Sequence, residues 1–140
     1  MTESRTQIRE KTTFAIYDTI FYESRGLQFE PTELLAGIFG CEWAEIDIFA
    51  QEIFVKALLN KDAIIAAVAA HLVNWDFDRL NRLAQAIFIE ACSEHNYARL
   101  SDKKVVIDAA VKMAKKYLDS KDYRYINAVL DKVLPADGEE

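Results

Sequence analysis

The last third of the chain holds the one residue pattern with a recognisable chemistry. Lys115, Lys116 and Tyr117 are followed by Lys121, Tyr123, Arg124 and Tyr125. Lysine and arginine neutralise phosphates, and tyrosine rings stack on unpaired bases while keeping the hydroxyl in water. The same residues also suit an ordinary lysine-rich helix face with half-buried tyrosines, and composition by itself favours that plainer reading. Other chemistries find less support. No phosphate-binding glycine loop, dinucleotide fingerprint or serine-nucleophile elbow is present. His71 lies in an apolar stretch without a ligand at helical spacing and reads as a core or partner-facing imidazole. His95 directly follows Glu94, and adjacent residues do not share a helix face. The Glu-x-x-His pairs of a di-iron bundle are missing. Glu42, Glu45, Asp47 and Glu52 have the spacing of a solvated face. Cys41 and Cys92 read as two isolated small hydrophobes in a reducing compartment. No catalytic residue, metal ligand or cofactor is expected.

The charge balance bears on the first pattern. A formal net charge of −6 over 140 residues argues against nucleic acid if it is spread evenly. It is not. Residues 12–78 hold eleven acids and three bases, whereas residues 99–132 hold nine bases and five acids. An acidic first half is joined to a basic last third. The polar start MTESRTQIREK has no apolar signal-peptide core. The longest uncharged apolar candidate, Ala63 to Val73, is too short to cross a bilayer. A cytoplasmic protein with no membrane association is expected.

These residues must be positioned by helices. Gly 4 and Pro 2 supply few turns, and 51% hydrophobic residues supply a core. Ser4-x-x-Gln7 has the form of a capping box, and Ile8, Phe14, Ile16, Tyr17, Ile20 and Phe21 recur near helical spacing until Gly26. Pro31 suits the first turn of a second helix that ends by Gly40. A long third pattern runs from about Trp43 to Trp75, with Asn60-Lys61-Asp62 as a bend or break. A fourth spans about Arg79 to Asn96, after a connection at 75–78. Ser101 or Asp102 caps a fifth, holding Val105, Val106, Ala110, Met113 and Tyr117. Ser120 caps a sixth, which Pro135 stops. The fold class is all-α: one domain over residues 1–135, of six or seven helices in two packed subdomains (about 1–74 and 75–135), followed by an acidic tail at 136–140.

The residues of three blocks resemble the NusB family of transcription antitermination factors. The most specific block is Val105-Val-Ile-Asp-Ala-Ala-Val-Lys-Met-Ala-Lys-Lys-Tyr117, a loop, then Tyr125-Ile-Asn-Ala-Val-Leu-Asp-Lys132 with Pro135 behind. Ser4-Arg5, Arg9-Glu10 and Ala15-Ile16-Tyr17 are similar to the family's arginine-rich first helix. Trp75-Asp-Phe-Asp-Arg79-Leu80 and Glu94 match two central positions. The resemblance implies an all-helical, NusB-like fold and a binding protein rather than an enzyme. It implies partnership with the small-subunit ribosomal protein NusE, binding of boxA-type single-stranded RNA, and action within the RNA polymerase antitermination complex during ribosomal RNA synthesis.

Carried over by position, Arg5 and Arg9 are implied phosphate or base contacts; Lys121 and Arg124 around the last loop match no family position and are further candidate cations of this chain's own, offsetting part of its thinned arginine run. Tyr17 and Tyr125 either contact RNA or pack between the first and last helices. Arg79 either contacts RNA or serves as an ion-pair partner. Asn127 is implied to hold a helix or loop in place. The chain departs from the family pattern in two places. Its arginine run is thinned to Arg5-Thr-Gln-Ile-Arg9, and Ala84-Gln-Ala-Ile-Phe-Ile89 lacks three charged positions. Each lost phosphate contact removes roughly one unit of salt slope, so weaker boxA affinity is expected. The alternative is a divergent NusB-fold protein acting only as a protein-interaction module or homodimer.

Overall fold

A computed structural model describes residues 3–138. Among them are seven α-helices and no strands: α1 (Arg5–Ser24), α2 (Pro31–Phe39), α3 (Ile48–Leu59), α4 (Lys61–Ala69), α5 (Arg82–Cys92), α6 (Lys103–Tyr117) and α7 (Ser120–Val133). None is long and apolar enough to cross a membrane. Glu139 and Glu140 of the expected acidic tail lie outside the described residues.

Local chemistry sets most of the boundaries. The Ser4 hydroxyl accepts from the Gln7 amide N–H, and the Gln7 side chain accepts from the Ser4 N–H. This capping box satisfies two of the first-turn donors of α1. Ser4→Ala is expected to cost about 1 kcal/mol, read as a lower urea midpoint with an unchanged slope. Gly40 ends α2 in the left-handed region at φ 72°, which favours glycine.

The long third pattern is three pieces, not one helix. A 3₁₀ turn (Trp43–Glu45) comes first, and the Asp47 carboxylate then caps α3 by accepting from the Phe49 N–H at 2.8 Å. At the other end the Asn60 amide donates to the Lys56 carbonyl at 2.8 Å, and a non-helical ψ of 15° separates α3 from α4. Asparagine competes for backbone groups in this way and so breaks a helix that apolar spacing alone would continue. Because α4 ends at Ala69, His71 lies beyond it and is exposed, as is Trp75. The fourth helix also starts later than its spacing suggests. Phe77–Arg79 is a 3₁₀ turn, and Asn81 caps α5 through the Leu83 N–H. Asp119, not Ser120, holds the cap position of α7. Val105 and Tyr117 of α6 face solvent.

The core is organised around α5. Helices α1, α3, α4, α6 and α7 all pack on it, and every residue from Ala84 to Glu94 is buried. A helix covered on all sides carries no solvent stripe, which accounts for the uncharged run Ala84–Ile89. Its one amide, Gln85, donates to the carbonyls of Phe77 (3.1 Å), Leu80 (3.0 Å) and Asp78 (3.4 Å), and so ties the 3₁₀ turn to the core. Beyond Cys92 the helix widens into a π turn, Ser93–Tyr97, closed by the Ala98 N–H on the Ser93 carbonyl at 2.7 Å. The Ser93 hydroxyl donates to the Ile53 carbonyl, fixing this turn against α3. Glu94 is its second residue.

Candidate nucleic-acid interface

Helix α1 runs antiparallel to α5, since Arg9 meets Glu94 near one end and Tyr17 meets Arg82 near the other. The Arg9 guanidinium grips Glu94 with both edges: Nε lies 3.0 and 3.1 Å from the two carboxylate oxygens and Nη2 lies 2.8 Å from Oε2. The Glu94 side chain is fully buried and that of Arg9 is 13% exposed. Burial opposes ionisation of Glu94, but hydrogen bonds from Arg9, Glu90 and Ser101 outweigh it and hold the carboxyl below its usual range. One helical turn earlier, Glu90 is buried with no cation of its own. Burial, then the Glu94 charge, pushes its carboxyl well above the usual range. Glu90 therefore holds its proton more tightly than an ordinary glutamate, beside a Glu94 that gives its proton up more readily.

The two carboxyls give stability opposite pH dependences. The folded chain holds the Glu90 proton where the unfolded chain loses it. Its contribution is full below the unfolded pKa of about 4.3 and falls as pH rises toward the folded value. Glu94 contributes above about pH 4.3, and that contribution is lost as pH falls through its lowered value. Glu90→Gln, an uncharged isostere, is expected to melt like the parent near pH 4 and above it at neutral pH. The gain accrues at up to about 1.4 kcal/mol per pH unit. A variant melting below the parent at pH 7 would show that Glu90 is ionised in the fold.

The seven residues expected to meet RNA fall into three groups and an outlier. Arg5 and Arg9 share the Phe49 ring, at 4.0 and 5.3 Å from its centroid, and Arg5 also reaches Asp47 at 3.5 Å. Tyr17 is half-buried beneath the Arg82 guanidinium at 5.9 Å. Lys121, Arg124 and Tyr125 occupy the first two turns of α7. Both cations there are exposed, while Tyr125 stacks on Phe88 at 6.1 Å and burial pushes its hydroxyl up to about 12. Arg79 stands apart, 80% exposed and 3.7 Å from Asp76.

Residues outside those seven connect α1 to the basic third. Lys116 lies 3.2 Å from Glu10, the Tyr117 hydroxyl donates to the same carboxylate at 2.5 Å, and the Tyr117 ring meets Phe14 edge-on at 5.5 Å. On one side of this bridge a cleft of about 540 Å³ opens between α1, α5 and α6. On the other, a shallower groove runs between α6 and α7 past Asn127, which is exposed. Lys112 and Lys115 border both. Together with Lys121, Arg124 and Lys132 they are exposed and make no ion pair or hydrogen bond among the described residues. Five cations released from internal pairing along two packed helices can neutralise a phosphate backbone. The sequence signal was present for Lys112, one helical turn before Lys115 and Lys116. Glu90 and Glu94 were also detectable, as two carboxylates one turn apart in an apolar run. No group of three or more His, Cys, Asp or Glu side chains able to hold a metal occurs among the described residues.

Comparison with known proteins places these features in context. A family model described as "NusB family" matches residues 42–135. The transcription antitermination protein NusB of Clostridium botulinum is 34% identical over 91 residues, covering 64% of this chain and 68% of that protein. Its counterpart from Macrococcus caseolyticus is 30% identical over 88 residues, covering 63% and 67%. These matches span about two thirds of each relative. Among solved structures, T. maritima NusB superposes with a TM-score of 0.78 at 19% identity, covering 95% of this chain and 92% of that one. A crystal structure of antitermination factors NusB and NusE in complex with dsRNA gives 0.75 at 21% identity, covering 95% and 97%. At such identities the likeness is one of fold.

Proposed function

The chain belongs to the NusB family, and from that premise we propose that it is an antitermination factor that binds boxA-type single-stranded RNA together with the ribosomal protein NusE. It works as a binding protein rather than an enzyme, in the cytoplasm, with residues 1–135 acting as one domain. The observation that carries the RNA reading is the row of unpaired cations on α6 and α7: Lys112, Lys115, Lys121, Arg124 and Lys132. Lys121 and Arg124 take phosphates, with Arg5 and Arg79 as outlying cations. Tyr17 and Tyr125 act mainly as packing residues, since each already has an intramolecular ring or cation partner. Arg9 fixes α1 to the core through Glu94. The acidic first half supplies the complementary field for a basic partner such as a ribosomal protein.

The test is titration with boxA-type RNA, with and without NusE, over a salt series. Affinity falling linearly on a log–log plot supports the reading, and undetectable or salt-independent binding refutes it. One observation favours the second reading, a protein-only module or homodimer: both arm arginines are engaged, Arg5 with Asp47 and Arg9 with Glu94. A dimer that persists on dilution and binds no RNA would establish it.

A further inference from the structure

The segment that follows α7 is fastened to the start of α6 by one carboxylate. Asp137 Oδ1 accepts from the Lys103 backbone N–H at 2.9 Å and lies 3.1 Å from His95 Nε2. Lys103 is the first residue of α6, and the cap residue Asp102 makes no side-chain hydrogen bond to that turn. The first N–H groups of a helix have no intrahelical partner and form the positive end of its dipole. No acidic residue occupies the first turn of α6. Asp137, 34 residues away, therefore meets a need that the local sequence leaves open. The Lys103 N–H, and then His95, hold its carboxyl below the usual range.

His95, the third residue of the π turn, is the other half of this fastening, and its side chain is 8% exposed. Its Nδ1 lies 2.7 Å from the Asn96 amide oxygen, while Nε2 faces Asp137. Both neighbours are oxygens that only accept, so each contact needs a ring N–H. A neutral imidazole has one and the imidazolium has two. The neutral ring keeps both contacts only if the Asn96 amide turns over. The imidazolium keeps both as they stand and makes the bond to Asp137 charge-assisted. Other charged groups at this corner have partners of their own. The Lys103 ammonium donates to the Asp131 carbonyl at 2.8 Å and lies 3.2 Å from its carboxylate. Lys104 pairs with Asp108, and Glu94 with Arg9. Arg99 and Asp102 line the same cavity, in which His95 is the one imidazole.

We propose that residues 135–138 form a proton-tightened latch, held on α6 by Asp137 and closing more firmly when His95 takes up its second proton. The carboxylate opposite favours that proton, so by linkage the proton favours the closed latch. Closure is firmest on the acid side of the ordinary imidazole range, above the pH at which Asp137 itself protonates, and weakens as pH rises through that range. Ala136 and Asp137 also wall one end of the groove between α6 and α7, so release of the segment opens that end. The inference goes beyond the RNA reading and does not depend on it.

The test is amide hydrogen exchange of the full chain, followed by NMR at about pH 5 and about pH 8, with each rate divided by its intrinsic rate at that pH. The Lys103 N–H is the reporter, because its one acceptor is Asp137. The Lys104 N–H, one residue on and without an acceptor among the described residues, is the internal reference. In the parent, Lys103 is expected to be protected about tenfold over Lys104 at the lower pH, and less at the higher. Asp137→Ala, a change at a half-exposed side chain, should bring Lys103 to the level of Lys104 at both. His95→Gln keeps an N–H donor that cannot gain a charge, so it should leave a smaller protection that is the same at both. Lys103 protected equally in Asp137→Ala overturns the latch. Protection in the parent that does not change with pH, or a pH dependence that survives in His95→Gln, overturns its control by the proton. If His95→Gln does not fold, the parent's pH dependence and its loss in Asp137→Ala carry the test.

Discussion

Glu94→Ala is expected to destabilise the protein by about 3–5 kcal/mol, because it strands the Arg9 guanidinium in a half-buried site. At this chain length that corresponds to a melting temperature lower by roughly 10–20 °C. The cost is large for a structural reason. Arg9 makes three contacts with one carboxylate at 2.8 to 3.1 Å, and that carboxylate is fully buried. The pair also spans 85 residues of sequence, fastening α1 to the π turn that follows α5. Arg9→Lys should not restore it, because an ammonium cannot match the two-edged grip. The double variant Arg9→Met with Glu94→Leu should recover much of the loss, since well-packed apolar residues replace a buried ion pair at little cost. A single variant melting within 2–3 °C of the parent would show that the pair contributes little. It also follows that weaker RNA binding by Arg9→Ala would not by itself identify a contact, because α1 would be loosened at the same time.

The second large effect concerns binding. Replacing Lys115, Lys121 and Arg124 together with glutamine is expected to lower the salt slope of RNA binding by about two units, at roughly 0.7 per contact for single strands. At 0.1 M salt that is a loss of about a hundredfold. Stability should hardly change, since all three side chains are exposed and unpaired. The same treatment of Arg5 and Arg79 should change the slope by less, because each already has a carboxylate nearby, Asp47 or Asp76. An unchanged slope in the α6–α7 variant would move the phosphate track elsewhere.

Much of the fold was legible because short-range chemistry sets it. The Ser4–Gln7 box, Pro31 at the start of α2 and Gly40 at its end act within one turn, and each is where its residue type implies. The break at Asn60 was visible as a candidate only, because apolar spacing continues across it and the competing Asn60–Lys56 hydrogen bond depends on geometry. The loss of charge along Ala84–Ile89 read as a weakened binding surface. In the structure it reflects a helix enclosed on every side.

The candidate site was half legible for a related reason. Lys121 and Arg124 were identifiable as exposed cations from their place in a polar, tyrosine-bearing stretch, and both are free. Arg9 looked equivalent to Arg5 in sequence, yet one is buried against Glu94 and the other is not. The difference lies in the partner's depth, 85 residues away, which no local pattern encodes. The acid-rich total charge of −6 likewise concealed a basic ridge, because the ridge is a property of two packed helices and not of the whole chain.

The most direct measurement is lysine-reactivity footprinting of the full chain with and without boxA-type RNA. The account predicts protection of Lys112, Lys115 and Lys121, with Lys56 and Lys61 on α3 and α4 reacting as before. Protection confined to Lys56 and Lys61, or no protection at saturating RNA, would contradict it.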